Sequence, residues 1–72
     1  MTKNAFLEKL GKNIVRLREG RGLSQLQLAN KCRKDKQSIN RLEKGRINPS
    51  AYYLSQIADA MKVKVKDLFD FE

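Results

Sequence analysis

Three side chains that can each form two parallel hydrogen bonds lie close together in the chain, at Gln37, Asn40 and Arg41. The amides of glutamine and asparagine can bind the edge of adenine in this way, and the guanidinium of arginine can bind guanine. Lys44 and Arg46 follow in the same stretch, and their charges suit phosphate groups, which add affinity but little selectivity. These residue types favour recognition of base-pair edges in duplex DNA, although a polar face of this kind also occurs on helices that are simply exposed to water.

Groups that make and break covalent bonds are scarce in this chain. It has no histidine, its single cysteine is Cys32, it has no glycine-rich loop that could hold a phosphate, and its acidic residues are scattered. Nucleophilic, metal-assisted and general acid–base catalysis all depend on such groups, and a zinc site needs several cysteine or histidine ligands. We therefore expect no enzyme activity, no metal and no cofactor. Cys32 is interpreted as a small core residue.

The positive charge is concentrated in one part of the sequence. The formal net charge is +8, and residues 1–48 hold 13 basic and 4 acidic residues, whereas residues 49–72 have a net charge of −1. This asymmetry favours a polyanionic partner, either duplex nucleic acid or an anionic membrane, over charge that serves solubility alone. A membrane-surface role is disfavoured because no strongly apolar face lies opposite the basic one.

The expected location is cytoplasmic. No apolar run is long enough to span a membrane, and the N-terminal stretch MTKNAFLEKLGK lacks the apolar core of a signal peptide. An unpaired cysteine agrees with a reducing compartment.

A length of 72 residues predicts a single domain. The apolar residues of the first predicted helix, from about Asn4 to Arg18, recur at helical spacing, and glycines at positions 20 and 22 end the helix. Those apolar residues are Phe6, Leu10, Ile14 and Leu17.

Two short helices follow. Ser24 is the predicted N-cap of the second, with Gln27 completing a capping box, and Leu28, Ala29 and Cys32 form its buried face. Asp35 is the predicted N-cap of the third, which runs from Lys36 to Lys44 and ends at Gly45. Successive residues of an α-helix are rotated by about 100° around its axis, which places Ile39 and Leu42 opposite the polar residues of the third helix.

The last two helices complete an all-α prediction. Asn48 is a candidate N-cap for the fourth helix and Pro49 suits its first position; this helix continues to about Met61. Its buried residues repeat at i, i+3, i+4 and i+7, as Leu54, Ile57, Ala58 and Met61. A short fifth helix is predicted over residues 65–69, because no second strand pattern exists to pair with the alternating residues 62–66.

Glu43 lies beside the buried face of the third helix, so its carboxylate needs a partner. The candidate is Arg18, at the end of the first helix. If the pair is buried, removing one partner is expected to cost about 3 kcal/mol or more.

Three segments occur together in a recognisable order. They read R-x-x-R-G-L-S-Q-x-Q-L-A, then Q-S-I-N-R-L-E-K-G-R-x-N-P-S, then L-x-x-I-A-D-A-M-K-V. This order resembles the helix-turn-helix domain of phage repressors, Cro proteins and related bacterial regulators, the XRE family, over about residues 10–69. The resemblance implies a compact five-helix, repressor-like DNA-binding domain over residues 1–72, with the third helix in the major groove and the second crossing the DNA backbone.

The resemblance also assigns roles by position. The residues that match base-contacting positions are Lys36, Gln37 and Arg41, with Asn40 a further candidate. The residues that match phosphate-contacting positions are Gln25, Ser38, Lys44 and Arg46. Arg18 and Glu43 match a structural ion pair of the family. Such domains usually bind palindromic operators as homodimers and often repress transcription.

Three positions depart from the family pattern. Arg33 stands where the turn between the helices usually has glycine, and Lys34 stands where an apolar residue is usual, so we expect a strained or differently shaped turn. Gln27 replaces the glutamate that usually ends the capping box, which raises the local positive potential.

Two partner hypotheses remain open at this point. Homodimerisation is predicted through the fifth helix and the tail, where the aromatic residues available after the third helix are Tyr52, Tyr53, Phe69 and Phe71. The alternative function is an antitoxin or another protein-interaction module on the same fold, which predicts an exposed apolar patch near Tyr52, Tyr53 and Phe71.

Overall fold

A computed structural model describes residues 1–72 and contains five helices and no strand. The helices are α1 (Lys3–Gly20), α2 (Gln25–Lys31), α3 (Lys36–Glu43), α4 (Ala51–Met61) and α5 (Val65–Leu68). The predicted all-α, five-helix class is therefore confirmed. None of these helices has both the length and the apolar character that crossing a bilayer requires.

Side chains that accept hydrogen bonds from the first turn fix where four of the helices begin. Thr2, Asp35 and Ser50 cap α1, α3 and α4 in this way. The predicted capping box of α2 is present: Ser24 Oγ accepts from the Gln27 amide at 3.0 Å, and Gln27 Oε1 accepts from the Ser24 amide at 2.8 Å. Each cap satisfies donors that the helix itself leaves free.

The predicted start of α4 at Asn48 and Pro49 is wrong by two residues. Ser50 is the N-cap, since its hydroxyl accepts from the Tyr53 amide at 3.0 Å, and the helix begins at Ala51. Serine is as good a cap as asparagine, so cap preference alone does not decide between Asn48 and Ser50. Pro49 therefore precedes the helix.

A single apolar core lies between the helices. It includes the predicted residues of α2, α3 and α4, and Leu68 contributes from α5. Of the apolar residues at the start of α1, Phe6 is 39% exposed, whereas its neighbour Leu7 is buried. Both residues belong to the broad apolar side of α1, so spacing alone does not decide between them.

A buried asparagine joins α1 to α5. Asn13 Nδ2 donates to the carbonyl oxygens of Asp67 and Leu68, at 3.0 and 2.8 Å, and its Oδ1 accepts from the Arg16 guanidinium at 2.7 Å. These carbonyls lie in the last turn of a four-residue helix, and that of Asp67 also accepts from the Asp70 amide at 3.3 Å. Asn13 thereby holds α5 against α1.

The backbones of α1 and of the end of α3 approach each other closely. A Cβ atom at Gly11 would lie 2.3 Å from the carbonyl oxygen of Glu43, and one at Gly45 would lie 2.8 Å from Cα of Glu8. Gly45 also has a φ of +71°, which favours glycine on its own account. Two glycines therefore let α1 and α3 touch without intervening side chains.

We predict that Gly11→Ala lowers the free energy of unfolding by about 1 to 3 kcal/mol, because the new methyl group meets backbone atoms that cannot rotate away. Urea unfolding followed by circular dichroism measures this. Gly20→Ala is the matched control on the same helix, since a Cβ atom there would have no neighbour within 4 Å. It should be neutral or stabilising by up to about 1 kcal/mol. Equal unfolding midpoints for Gly11→Ala and the unmodified protein would contradict the prediction.

Candidate nucleic-acid interface

The turn between α2 and α3 has the backbone strain that its sequence predicts. Arg33 has a φ of +57°, in the left-handed region where glycine is usual. A non-glycine residue in this conformation costs about 1 kcal/mol. The Lys34 amide donates to the carbonyl of Ala29 at 2.9 Å, which closes the end of α2. Arginine thus adopts the glycine-type turn, and Asp35 is then placed to cap α3.

One concave surface collects most of the residues that were singled out from the sequence. It encloses about 450 Å³ and is lined by Gln25, Lys36, Gln37, Asn40, Arg41 and Arg46. We call this surface the polar groove. All four predicted base-contacting residues line it, together with two of the four predicted phosphate-contacting residues. It contains three cations, three amides and no acid or hydrophobic residue.

Lys44 and Ser38 lie outside the lining of the polar groove. Lys44 is the exposed C-cap residue of α3, beside Arg46 in sequence. Ser38 is half-buried, and its hydroxyl lies 2.5 Å from the Tyr53 hydroxyl on α4. The proposed phosphate contact of Ser38 would therefore involve a hydroxyl that already has a partner within the protein.

Arg18 and Glu43 form a buried ion pair below the polar groove. Arg18 Nε and Nη2 donate to the two carboxylate oxygens of Glu43, at 2.7 and 3.1 Å, and Nη1 donates to the Leu23 carbonyl at 2.8 Å. The Glu43 side chain is only 3% exposed. Gln25 Nε2 donates a further hydrogen bond to Glu43 Oε1 at 2.9 Å. This network connects α1, the start of α2 and the end of α3, and it places the Gln25 side chain.

Two features of this region have no signal in the sequence pattern. The link from Gln25 to Glu43 depends on how α2 crosses α3, and Tyr53 reaches Ser38 only because α4 packs beside the turn. Burial raises the pKa of the Tyr53 hydroxyl above its ordinary value, although the hydrogen bond to Ser38 acts in the opposite direction. Tyr53 is therefore protonated at neutral pH.

The residue types that commonly bind metal ions do not cluster in the structure. No three side chains of the His, Cys, Asp and Glu types lie together as a candidate metal site. Cys32 is buried, and its thiol donates to the Leu28 carbonyl at 3.2 Å. Burial raises the pKa of this thiol, so it is a weak nucleophile.

A helix-turn-helix family, HTH_3, matches residues 14–68 of this sequence. The chain belongs to this family. HTH_3 is the XRE-type helix-turn-helix family, so the resemblance inferred from the three sequence segments is confirmed. No curated protein sequence matches the chain.

Solved structures of HTH_3-type regulators share the fold of the chain. The restriction-modification controller protein C.AhdI from Aeromonas hydrophila is 32% identical, with 90% of this chain and 98% of that chain covered and a TM-score of 0.88. The clp gene regulator ClgR from C. glutamicum is 26% identical, with 89% and 82% covered and a TM-score of 0.86. The DNA-binding domain of BldD, at 24% identity, a TM-score of 0.84 and 94% and 97% coverage, supports the fold alone. C.AhdI and ClgR are regulators and not enzymes, in agreement with the expectation for this HTH_3 member.

We predict that Glu43→Gln lowers the free energy of unfolding by about 3 kcal/mol, because it leaves the Arg18 guanidinium buried without a counter-charge. Chemical denaturation at pH 7 measures this. Glu19→Gln removes an exposed carboxylate from α1 and is the matched control; it should change stability by no more than about 0.5 kcal/mol. Similar losses for both variants would mean that the buried pair has no special structural role.

Proposed function

We propose that this HTH_3 member is a sequence-specific, double-stranded-DNA-binding transcriptional regulator, and that it represses by occupying a palindromic operator as a homodimer. In this proposal α3 enters the major groove, and Lys36, Gln37, Asn40 and Arg41 contact bases. Gln25, Ser38, Lys44 and Arg46 contact the DNA backbone. The proposal places the protein in the cytoplasm, where its DNA target would be.

The observation that carries this proposal is the polar groove. Its amides and guanidinium groups have the donors and acceptors needed to distinguish base pairs, and they converge on one exposed surface. A helix the size of α3 fits a major groove that is about 12 Å wide. Lysine and arginine at the edges of the same surface suit the phosphates on either side.

The acidic residues close to α3 are arranged so that they do not oppose DNA. The Asp35 carboxylate accepts a hydrogen bond from the Ser38 amide at 2.6 Å, at the positive end of the helix. The Glu43 carboxylate is buried and neutralised by Arg18. Both acids near the polar groove are thus used within the fold, and the cations around them remain available for phosphate.

The dimer part of the proposal draws on an aromatic patch formed by α1 and the C-terminal segment. Phe6 and Phe69 stack with ring centroids 6.2 Å apart and are 39% and 40% exposed, and Val65 is also exposed. Phe71, expected as an interface residue, is half-buried and packs against the core. A two-fold dimer across this patch would present two copies of α3, and two-fold helix-turn-helix dimers read half-sites about 34 Å apart in a palindromic operator.

The alternative, an antitoxin or another protein-interaction module, predicts an apolar surface around Tyr52, Tyr53 and Phe71. Only Tyr52 is largely exposed, since Tyr53 and Phe71 are half-buried. The surface therefore favours DNA. Salt dependence separates the two functions: DNA affinity should fall steeply as salt rises, because phosphate contacts release counterions, whereas a mainly apolar protein contact should not.

We predict that selection of bound duplexes from a random pool yields a palindromic sequence. On that sequence, Gln37→Ala and Arg41→Ala should each cost about 1 to 3 kcal/mol of binding free energy and relax the preference at one base pair. Lys44→Ala should lower the affinity for specific and random duplexes alike. It should also reduce the slope of log affinity against log salt concentration by about 1. Fluorescence anisotropy with both kinds of duplex measures all three.

Lys44→Ala serves as the control for Gln37→Ala and Arg41→Ala, because it should affect both kinds of duplex equally. Equal losses on specific and random duplexes for all three would contradict the assigned roles, although not DNA binding itself. A pool without any enriched sequence would contradict sequence-specific recognition and favour the protein-interaction alternative.

We predict that Phe69→Ser weakens self-association at least about tenfold, because a central aromatic contact is commonly worth about 2 kcal/mol. Sedimentation equilibrium measures this. Tyr52→Ser is the matched control, since Tyr52 is 73% exposed and lies outside the aromatic patch. A monomeric unmodified protein at concentrations that saturate a palindromic duplex, or an equal effect of both substitutions, would contradict the proposed interface.

A further inference from the structure

The two halves of α3 are held in different ways. Its C-terminal half is fixed by the backbone contact with Gly11 and by the ion pair of Glu43 with Arg18. Its N-terminal half carries Lys36 and Gln37 at the rim of the polar groove, ahead of the first buried apolar residue, Ile39. Ile39 anchors the end of this half in the core, and the exposed first turn that carries Lys36 and Gln37 is left to contacts outside the core.

Tyr53 of α4 makes such contacts. Its hydroxyl lies 2.5 Å from the hydroxyl of Ser38, which is the third residue of α3. The Lys34 ammonium lies over the Tyr53 ring, 4.9 Å from the ring centroid. One side chain of α4 therefore contacts both the turn before α3 and the first turn of α3 itself.

The chemistry of these contacts suits a fixed link. A hydrogen bond between two half-buried hydroxyls is directional, and a break would leave both groups poorly solvated. The cation over the ring adds an electrostatic attraction between Lys34 and the tyrosine. The strained Arg33 lies one residue before Lys34, so the turn that carries the strain is the one that this contact joins to α4.

We propose that Tyr53 is a positioning residue that determines DNA sequence specificity without contacting DNA. Through Ser38 and Lys34 it fixes the direction of the N-terminal half of α3, and so the placement of the Lys36 and Gln37 side chains in the polar groove. This inference rests on the proposed function for its consequence at DNA. The mechanical link itself belongs to the free protein and can be measured there.

The first test uses the free protein and amide hydrogen exchange. Tyr53→Phe keeps the ring and the cation contact but removes the hydroxyl. It should lower the protection of the Ile39 and Asn40 amides about fivefold while leaving that of Ile14 in α1 unchanged. Ser38→Ala should lower the same protection by a similar factor. The double variant should show no further loss of protection, because both single substitutions remove the same hydrogen bond.

The matched control is Tyr52→Phe, which removes a hydroxyl from the adjacent, largely exposed tyrosine. It should leave α3 protection unchanged. A uniform loss of protection across all helices for Tyr53→Phe would show a general stabilising role and overturn the proposal. If the α3 amides of Tyr53→Phe are as well protected as those of Tyr52→Phe, the proposal is overturned as well.

The second test measures specificity on the selected duplex. Tyr53→Phe should reduce the ratio of specific to random affinity about tenfold, roughly the value of one base contact, with random-duplex affinity and salt slope unchanged. An unchanged ratio, or a proportional loss on both duplexes, would overturn the proposal. If the unmodified protein shows no sequence preference, the proposed function fails, and the exchange experiment still decides whether Tyr53 holds α3.

Discussion

Only two large apolar side chains, Ile39 and Leu42, connect α3 to the core, so the position of this helix depends on contacts of other kinds. The most restrictive is the approach of α1 at Gly11, where the backbones leave no room for a side chain. The Arg18–Glu43 pair acts at the same end of the helix and would be costly to separate, since neither charge could stay buried alone. An eight-residue helix that would be unstable in isolation is thereby held rigidly.

The same contacts order the surface of the protein. Glu43 would repel phosphate if it faced outwards, yet its carboxylate is neutralised by Arg18 and also accepts a hydrogen bond from Gln25, a residue of the polar groove. Asp35 is used as a cap. Structural stability and a positive groove thus arise from one arrangement of charges. At the other side of α1, Asn13 holds α5 beside the aromatic patch, so α1 supports both exposed surfaces.

Much of the fold could be predicted from the sequence because its signals are local. The caps at Ser24 and Asp35, and the apolar spacing of α4, depend on residues within one or two turns of each other. The predictions that were wrong concern choices between near-equal local options, such as Ser50 against Asn48. Gly11 carried no signal at all, because a glycine within a helix indicates a close contact only when the neighbouring helix is known.

The candidate site divides in the same way. The polar face of α3 follows from helical periodicity, and four of its residues, Lys36, Gln37, Asn40 and Arg41, line one groove. Tyr53 and its contacts could not be predicted, because they require the tertiary packing of α4 against the turn. The backbone contact at Gly11 has one more consequence. Since α3 is oriented by main-chain atoms and by residues behind it, the exposed side chains of its polar face can be exchanged with little effect on stability. Such a scaffold can acquire a new binding specificity by substitution at a few surface positions, while the orientation of the helix is retained.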